Sequence, residues 1–332
     1  MVILFFLLAS GESVTRGRLE AERSVFAGEL MAGVDVHAAL ERLFARGVVQ
    51  QGVPTQDGEE VKSPEDGTLG LSREGWKQAR EAMLAFGFTD GSRLEAASAS
   101  EQRLRERMEE AGYITITDEA QRAFVADAVR TAAGPVLDIG CGDGRITAHL
   151  REESGQEFLG LDSSSERIDR ARALFPDIQF HTADMESITS FAPSFGSAVL
   201  IDSLYFTGNQ TDVLSQLLAR LDPEGVIVLL YGAYAGPGMD ESTLLLESLP
   251  FSSLLNRPDV AWETTDFSAG EHAIWKLRLE AARNLRADYY AARESYLYWS
   301  NRTECAALER ITREGRNARR SFVIRSVHQH GA

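Results

Sequence analysis

The stretch VLDIGCGDGRITAHL, residues 136–150, decides the predicted fold. A short apolar run leads into the turn GCGDG, residues 140–144, and a helical pattern follows it. Glycine permits unusual backbone dihedral angles and lets a ligand approach the backbone closely. The amides at the start of the following helix can hold a carboxylate. We therefore predict a ligand-binding turn that connects a strand to a helix.

Strands and helices alternate around this turn. Short apolar runs predict strands at 136–140, 157–162, 178–182, 197–202 and 225–231, and helical patterns fall at 144–153, 164–174 and 210–221. Such alternation is typical of a parallel sheet with helices on both of its faces. The sequence therefore predicts a doubly wound α/β fold.

The spacing of the glycines separates two kinds of nucleotide-binding turn. A dinucleotide-binding turn reads G-x-G-x-x-G, whereas this turn reads G-x-G-x-G and places Arg145 after its third glycine. The pattern DxGxGxG, which begins at Asp138, resembles the first motif of class I S-adenosylmethionine (SAM) dependent methyltransferases. The resemblance covers about residues 115–235 and a last strand near 320–328. It implies a Rossmann-like, mostly parallel sheet, with SAM as the cofactor.

Acidic residues at the ends of the next strands match the later motifs of that family. Asp162 ends the run FLGLD, and the resemblance assigns it to the two ribose hydroxyls, a role that acidic residues have in related nucleotide-binding folds. Asp184 and Met185 match the residues that face the adenine, and Asp202 ends the fourth strand. Each acidic residue alone can equally be a helix cap, but their order and spacing favour a cofactor site. The resemblance implies that this site comprises Asp138, Gly140, Cys141, Gly142, Gly144, Asp162, Ser163, Asp184, Met185 and Asp202.

The first 95 residues predict a separate domain. Helical patterns are followed by two short extended runs, Val48–Gln50 and Thr68–Leu71, and then by a helix that begins at Ser72. This order of elements resembles a winged-helix domain. We predict a winged-helix-like domain over 1–95, for dimerisation or as a cover for the substrate, and a methyltransferase domain over 96–332.

Composition restricts the partners and the compartment. The formal net charge of −16 repels phosphate backbones, so nucleic acid is a poor default partner. Cys141 and Cys305 give neither a disulfide framework nor a zinc spacing, and we predict no metal site. The apolar run Val2–Ala9 follows no basic residue and is too short to span a bilayer, which favours a buried helix over a signal peptide. We therefore expect a cytoplasmic protein that does not bind a membrane and can form a homodimer.

Fewer sequence features point to the residues that would bind the methyl acceptor. A long helical insert is predicted from about 269 to 318, before the last strand. An insert at the carboxyl end of such a sheet is where ligands bind, although aromatic residues at helical spacing are more often core. The segment DSLY, residues 202–205, lacks the histidine base of many O-methyltransferases that carry a winged-helix domain, so no catalytic residue is predicted. The candidate acceptor residues are Tyr205, Tyr296, Trp299, Arg302 and Glu304.

A basic stretch near the end of the chain has two interpretations. The arginines at 310, 313, 316, 319 and 320 are expected to form a solvated helix face in an otherwise acidic protein, and an anionic acceptor is the alternative.

Three functions fit these features. The favoured one is SAM-dependent methyl transfer to a small-molecule acceptor, at oxygen or nitrogen, by in-line displacement. The first alternative is a winged-helix DNA-binding regulator with a SAM-sensing domain. Its candidate recognition helix, Val34–Arg46, carries almost no net charge, which argues against DNA. The second alternative is methylation of RNA or protein.

Overall fold

The computed structural model describes residues 49–51, 69–71, 98–190, 194–236, 239–292 and 294–327. The predicted winged-helix-like domain lies outside these residues, apart from two strands. Strands β1 (Val49–Gln51) and β2 (Leu69–Leu71) pair in antiparallel fashion, as the two predicted extended runs require.

The structure contains two compact units. One unit includes residues 98–108 and Trp275–Arg310, and the other includes Glu109–Ala235, Met239–Ile274 and residues 311–327.

A sheet of seven described strands forms the larger unit. The strands in chain order are β3 (Val136–Ile139), β4 (Phe158–Asp162), β5 (Gln179–Thr182), β6 (Ser197–Ile201), β7 (Ile227–Tyr234), β8 (Val260–Asp266) and β9 (Asn317–Ser326). Their order across the sheet is β5-β4-β3-β6-β7-β9-β8. The pairs from β5 to β7 are parallel, whereas β9 runs antiparallel to both of its neighbours. The predicted Rossmann-like, mostly parallel sheet is confirmed.

Helices of the larger unit cover both faces of this sheet. The described helices of the two units are, in chain order, α1 (Ala99–Glu110), α2 (Glu119–Val129), α3 (Arg145–Ser154), α4 (Ser165–Leu174), α5 (Gln210–Leu218), α6 (Ser252–Leu255), α7 (Ser268–Asn284), α8 (Arg286–Ala291) and α9 (Ser295–Arg313). Side chains of a strand alternate between faces. In β6, Ala198 and Leu200 pack with residues of α5 and α6, while Val199 and Ile201 pack with residues of α2 and α3. Two apolar cores therefore enclose the central strands.

The sequence also predicts a helix near 240–256, before the strand VAWETTDF, and this prediction is wrong. Short 3-10 turns at Glu241–Leu244 and Leu246–Ser248 precede the single turn of α6. Leu245 and Leu249 are extended, with ψ of 151° and 140°. Pro250 disfavours a helical conformation at the residue before it, which explains the break at Leu249.

The smaller unit contains a buried carboxylate, that of Glu101. The Tyr289 hydroxyl donates to Glu101 Oε1 at 2.6 Å, and the Asn301 side-chain amide donates to the same oxygen. Arg278 donates to Asn301 Oδ1 at 3.1 Å. These bonds satisfy a polar group that would otherwise be costly to bury, and they join α1 to α8 and α9.

A second buried carboxylate, that of Asp138, links β3 to α3. The Thr147 hydroxyl donates to Asp138 Oδ2 at 2.6 Å, and both residues are almost fully inaccessible to solvent. Burial, opposed by this hydrogen bond, raises the pKa of Asp138 to about 7. The folded protein therefore binds a proton at Asp138 that the unfolded chain releases near pH 4.

The replacement Asp138→Asn tests this linkage. A carboxyl with a raised folded pKa contributes most stability below its unfolded pKa and loses it as pH rises through the folded pKa. Between about pH 4 and 7, we expect wild type to lose roughly 1.4 kcal/mol per pH unit relative to the variant. Urea unfolding across this range measures the difference, with the exposed Asp169→Asn as control. A difference that is constant with pH would contradict the assignment.

The turn after β3 packs against the residue pair that follows β6. Gly140 has a φ of 78°, and a Cβ added there would overlap the Cβ of Ser203. The Ser203 hydroxyl also donates to the Ile139 carbonyl at 2.6 Å. Gly142 has a φ of 58°, but a Cβ added there meets no atom within 4 Å. Two glycines of one turn are thus required for different reasons.

Matched alanine substitutions separate these reasons. We expect Gly142→Ala to lower the free energy of unfolding by about 1 kcal/mol, because only the backbone conformation opposes a side chain there. Gly140→Ala should lower it by about 2–4 kcal/mol, since overlap with Ser203 adds to the same strain. Chemical denaturation of both variants measures the difference, and equal losses would show that the Ser203 contact relaxes freely.

Candidate functional site

The glycine turn closes on a single carbonyl of the neighbouring strand. The amides of Gly140 and Cys141 donate to the Leu161 carbonyl at 2.7 and 2.9 Å. Cys141 is buried, and its side chain belongs to a small apolar cluster with Ile168 and Phe180. Burial, with the nearby carboxylates, raises the pKa of the Cys141 thiol. The thiol therefore stays protonated and packs the turn, because nucleophilic attack requires the thiolate.

Asp162 lies directly beside this turn. Its Oδ2 accepts the Gly142 amide at 3.0 Å, and its Oδ1 accepts the Ser164 amide at 2.9 Å. An ionised carboxylate has about four lone-pair sites, so each oxygen can still accept from a ligand hydroxyl. Ser163 is exposed next to it, and Ser164 caps α4. The structure thus brings together the glycine turn, Asp162 and Ser163, as the sequence predicts.

Phe180 on β5 accounts for two further glycines. A Cβ at Gly144 would lie 2.6 Å from the Phe180 ring, and one at Gly160 would overlap the same ring. These glycines make room for an aromatic side chain of the protein. Gly142 has open space above it, so this is where a ligand can approach the turn.

Asp184 and Met185 follow β5, the strand beside β4. Asp184 is exposed, and its Oδ1 accepts the Glu186 amide at 2.9 Å. Met185 is half-buried against the core. Since β4 and β5 are parallel, both residues lie at the same edge of the sheet as Asp162.

Asp202 occupies an unusual position after β6. Its φ of 53° is in the left-handed region, which is uncommon for a residue other than glycine. Arg319 donates to both carboxylate oxygens, with one bond of 2.7 Å, and the Tyr205 hydroxyl donates to Oδ1 at 3.0 Å. The sequence places Asp202 in the cofactor site, and the structure holds its carboxylate in an ion pair.

Arg319 extends this ion pair into a buried cluster. Its side chain is 0% exposed, as is that of Glu271 on α7, and Arg319 Nε lies 3.6 Å from Glu271 Oε1. The Tyr234 hydroxyl donates to Glu271 Oε2 at 2.6 Å. Burial alone would lower the pKa of Arg319, but the carboxylates of Asp202 and Glu271 raise it overall, so the guanidinium is charged. We call Asp202, Tyr205, Tyr234, Glu271 and Arg319 the acceptor-side cluster.

The expected solvated helix face is wrong for Arg319. Residues 317–326 form β9 between β7 and β8, and this places Arg319 in the interior. Arg316 and Arg320 are half-buried and donate to the carbonyls of Met239 and Leu244 at 2.9 and 2.7 Å. Arg319 is thus a site residue that sequence reasoning missed. The last strand, predicted near 320–328, begins one residue after Arg319, and no sequence signal pairs Arg319 with Asp202.

The predicted acceptor residues are divided between the two units. Tyr205 belongs to the acceptor-side cluster. On α9, Arg302 is buried and Glu304 is exposed. The side chains of Tyr296 and Trp299 lie outside the described part of the structure.

One surface cleft lies away from these groups. It is lined by residues such as Arg151, Gly155 and Pro176, which precede β4 and β5. In a parallel sheet these positions are at the amino-terminal edge, opposite the glycine turn. Ligands of such sheets bind at the carboxyl ends of the strands, so this cleft is not the candidate site.

The described residues contain neither a membrane-spanning helix nor a cluster of metal ligands. None of the helices there has the length and apolar character needed to cross a membrane. The same residues contain no group of three or more His, Cys, Asp or Glu side chains placed to hold a metal ion.

Comparison with known proteins agrees with the geometry of the turn. Residues 136–225 match a family model described as a methyltransferase domain. The chain is 32% identical over 124 residues to trans-aconitate 2-methyltransferase of Azoarcus sp. (strain BH72), which covers 35% of this chain and 47% of the relative. It is 35% identical over 92 residues to malonyl-[acyl-carrier protein] O-methyltransferase of Salmonella typhimurium, over 28% and 36% of the two chains. The chain spans about half the length, or less, of these curated relatives.

A solved structure shows the same fold over most of the chain. The cyclopropane synthase MmaA2 of Mycobacterium tuberculosis superposes with a TM-score of 0.55 at 16% identity, over 69% of this chain and 95% of that chain. The family model, together with the glycine turn, Asp162 and the sheet order, identifies residues 136–225 as a methyltransferase domain of the SAM-dependent type that the turn resembles.

Proposed function

We propose that this protein transfers a methyl group from SAM to a small-molecule acceptor, at nitrogen or oxygen. The observation that carries the proposal is the pair formed by Gly142 and Asp162. The carboxylate meets the backbone of the glycine turn at 3.0 Å, beside the open space over Gly142. Such a cradle fits an adenosine whose ribose hydroxyls need a carboxylate acceptor.

The other cofactor roles follow from position along the edge of the sheet. We assign Asp162 to the ribose hydroxyls, with Ser163 beside the adenosine. Asp184 and Met185, on the neighbouring strand, are assigned to the adenine. We assign Gly140, Cys141 and Gly144 to the shape of the turn. Asp138 links β3, which leads into the turn, to α3, which follows it.

The chemistry asks the chain mainly to align two groups. SAM, when bound, supplies an activated methyl group on a sulfonium. In-line displacement then depends on holding the acceptor at the correct distance and angle. A general base is needed only for a weakly acidic acceptor. We therefore assign orientation of the acceptor to the acceptor-side cluster. We assign no role in proton transfer to Cys141.

A small-molecule acceptor is supported by the name of one relative and by the charge of the chain. Trans-aconitate is the compound named for one of the reported relatives. The net charge of −16 disfavours nucleic acid as a target. Methyl transfer to a small molecule is therefore favoured over an activity on RNA.

Replacement of Asp162 tests the ribose assignment. We expect Asp162→Ala to weaken binding of S-adenosylhomocysteine by roughly 10- to 100-fold, since hydrogen bonds to a charged group contribute about 1.5–3 kcal/mol. Isothermal titration calorimetry measures the affinity, and circular dichroism checks that the variant is folded. The exposed Asp169→Ala on α4 is the control and should bind within twofold of wild type. Wild-type affinity in Asp162→Ala would contradict the assignment.

A bulky side chain at Gly142 tests the site from its other side. Valine there would fill the open space over the turn, so we expect Gly142→Val to abolish detectable binding of S-adenosylhomocysteine. Gly142→Ala, which adds one methyl group, should retain weakened binding in the same calorimeter. If both variants bind as wild type does, the ligand does not approach the turn at this residue.

A further inference from the structure

We propose that the methyl acceptor is an amine, and that Tyr205 is the residue that selects it. The inference deepens the proposed function and rests on it. It follows from the hydrogen bonds and the charges of the acceptor-side cluster and from the aromatic rings beside it.

The Tyr205 hydroxyl donates its proton to a group of the protein. Asp202 is ionised, because Arg319 donates to both of its oxygens, and an ionised carboxylate can only accept. The Tyr205 hydroxyl must therefore be the donor in its 3.0 Å bond to Asp202. Its oxygen has only lone pairs left for a ligand. Such an oxygen accepts from an N–H group and has nothing to donate to a carboxylate.

The rings around this hydroxyl also favour a cation. Tyr205 is 38% exposed and Phe206 is 61% exposed. Their ring centroids lie 5.2 Å apart, and the ring centroid of Tyr231 lies 5.7 Å from that of Tyr205. Exposed aromatic faces attract ammonium groups through the negative charge of the ring face. An amine acceptor arrives from water mostly as its ammonium form, so these rings concentrate it at the site.

The charges beneath the rings act in the same direction. The acceptor-side cluster contains two carboxylates, Asp202 and Glu271, and one guanidinium. Arg319 is buried beyond the reach of a ligand. The nearby Arg316 and Arg320 donate to backbone carbonyls of the segment that precedes α6. A carboxylate acceptor would therefore meet two carboxylates here, while the described guanidinium groups nearby already donate within the protein.

Tyr205 is also close to the cofactor turn. Ser203, two residues earlier, donates to the Ile139 carbonyl at 2.6 Å and contacts Gly140. The family model covers Asp202 and Tyr205 and ends at residue 225, so Tyr234, Glu271 and Arg319 lie outside the matched segment.

The chemical step balances without a further reactant. An ammonium acceptor first loses one proton to water. The lone pair of the neutral amine nitrogen then forms the N–C bond while the C–S bond breaks, and its electron pair goes to sulfur. The product is an N-methylammonium ion, which carries the positive charge that the sulfonium lost.

Two probes that share a phenylethyl group and differ in the charged group attached to it test the inference by direct binding. 2-Phenylethylammonium and 3-phenylpropionate are titrated separately into the full-length protein saturated with S-adenosylhomocysteine. We expect the ammonium to bind at least tenfold more tightly than the carboxylate. Equal binding, tighter binding of the carboxylate or binding of neither probe would overturn the inference.

Variants show whether Tyr205 causes the preference. Tyr205→Phe keeps the ring but removes the oxygen, so we expect ammonium affinity to fall roughly tenfold, with unchanged affinity for S-adenosylhomocysteine. Tyr290→Phe, a tyrosine of the smaller unit, is the control and should leave both affinities unchanged. An unchanged ammonium affinity in Tyr205→Phe would remove Tyr205 from the proposal.

The same titrations separate the two proposals. Failure of S-adenosylhomocysteine to bind the wild-type protein would overturn the proposed function itself. Tight cofactor binding together with a preference for the carboxylate would overturn only the choice of an amine. Transfer of labelled methyl from SAM gives an independent readout, because methyl esters are hydrolysed by alkali whereas N-methyl groups are stable. Alkali-labile label in the carboxylate probe would contradict the inference.

Discussion

The ion pair between Arg319 and Asp202 is the interaction on which the carboxyl edge of the sheet depends. It joins β9 to the end of β6, and Glu271 adds α7 to the same guanidinium. Removing one partner of a buried ion pair leaves an uncompensated charge and destabilises by roughly 3–5 kcal/mol. The pair also holds Asp202 at a φ of 53°, a conformation that a non-glycine residue adopts only where its surroundings enforce it. The direction of the chain after β6, and therefore the position of Tyr205, follows from this contact.

Local patterns were sufficient for the central strands and not for the connections. Strands β3 to β7 lie within a few residues of the predicted runs. Four of them, β3, β4, β6 and β7, are apolar segments that are largely buried on both faces, whereas β5 is a partly exposed edge strand. The segment between α6 and β7 shows the limit of such patterns. Its leucines have helical spacing, but Pro250 and the extended residues before it divide the segment into short turns. Apolar spacing alone does not show where the backbone can remain helical.

Sequence patterns likewise predict one part of the candidate site and not the other. Gly142 follows β3 and Asp162 ends β4. Because these strands are consecutive in the chain, a sequence motif is enough to place the two residues together. Arg319 and Asp202 are separated by 117 positions, and only the antiparallel insertion of β9 makes them neighbours. The glycines also have mixed roles that their spacing conceals. Gly144 and Gly160 make room for the ring of Phe180, whereas Gly142 leaves space for a ligand.

The contact between Gly140 and Ser203 has a consequence for the history of this chain. The two residues lie on different motifs, yet their atoms compete for one small volume. A side chain at position 140 is tolerated only if position 203 loses its Cβ or the turn moves. The turn after β3 and the segment after β6 therefore cannot drift independently. Natural variation at these two positions should occur in compensating pairs, so that the edge of the sheet evolves as one unit across two distant segments.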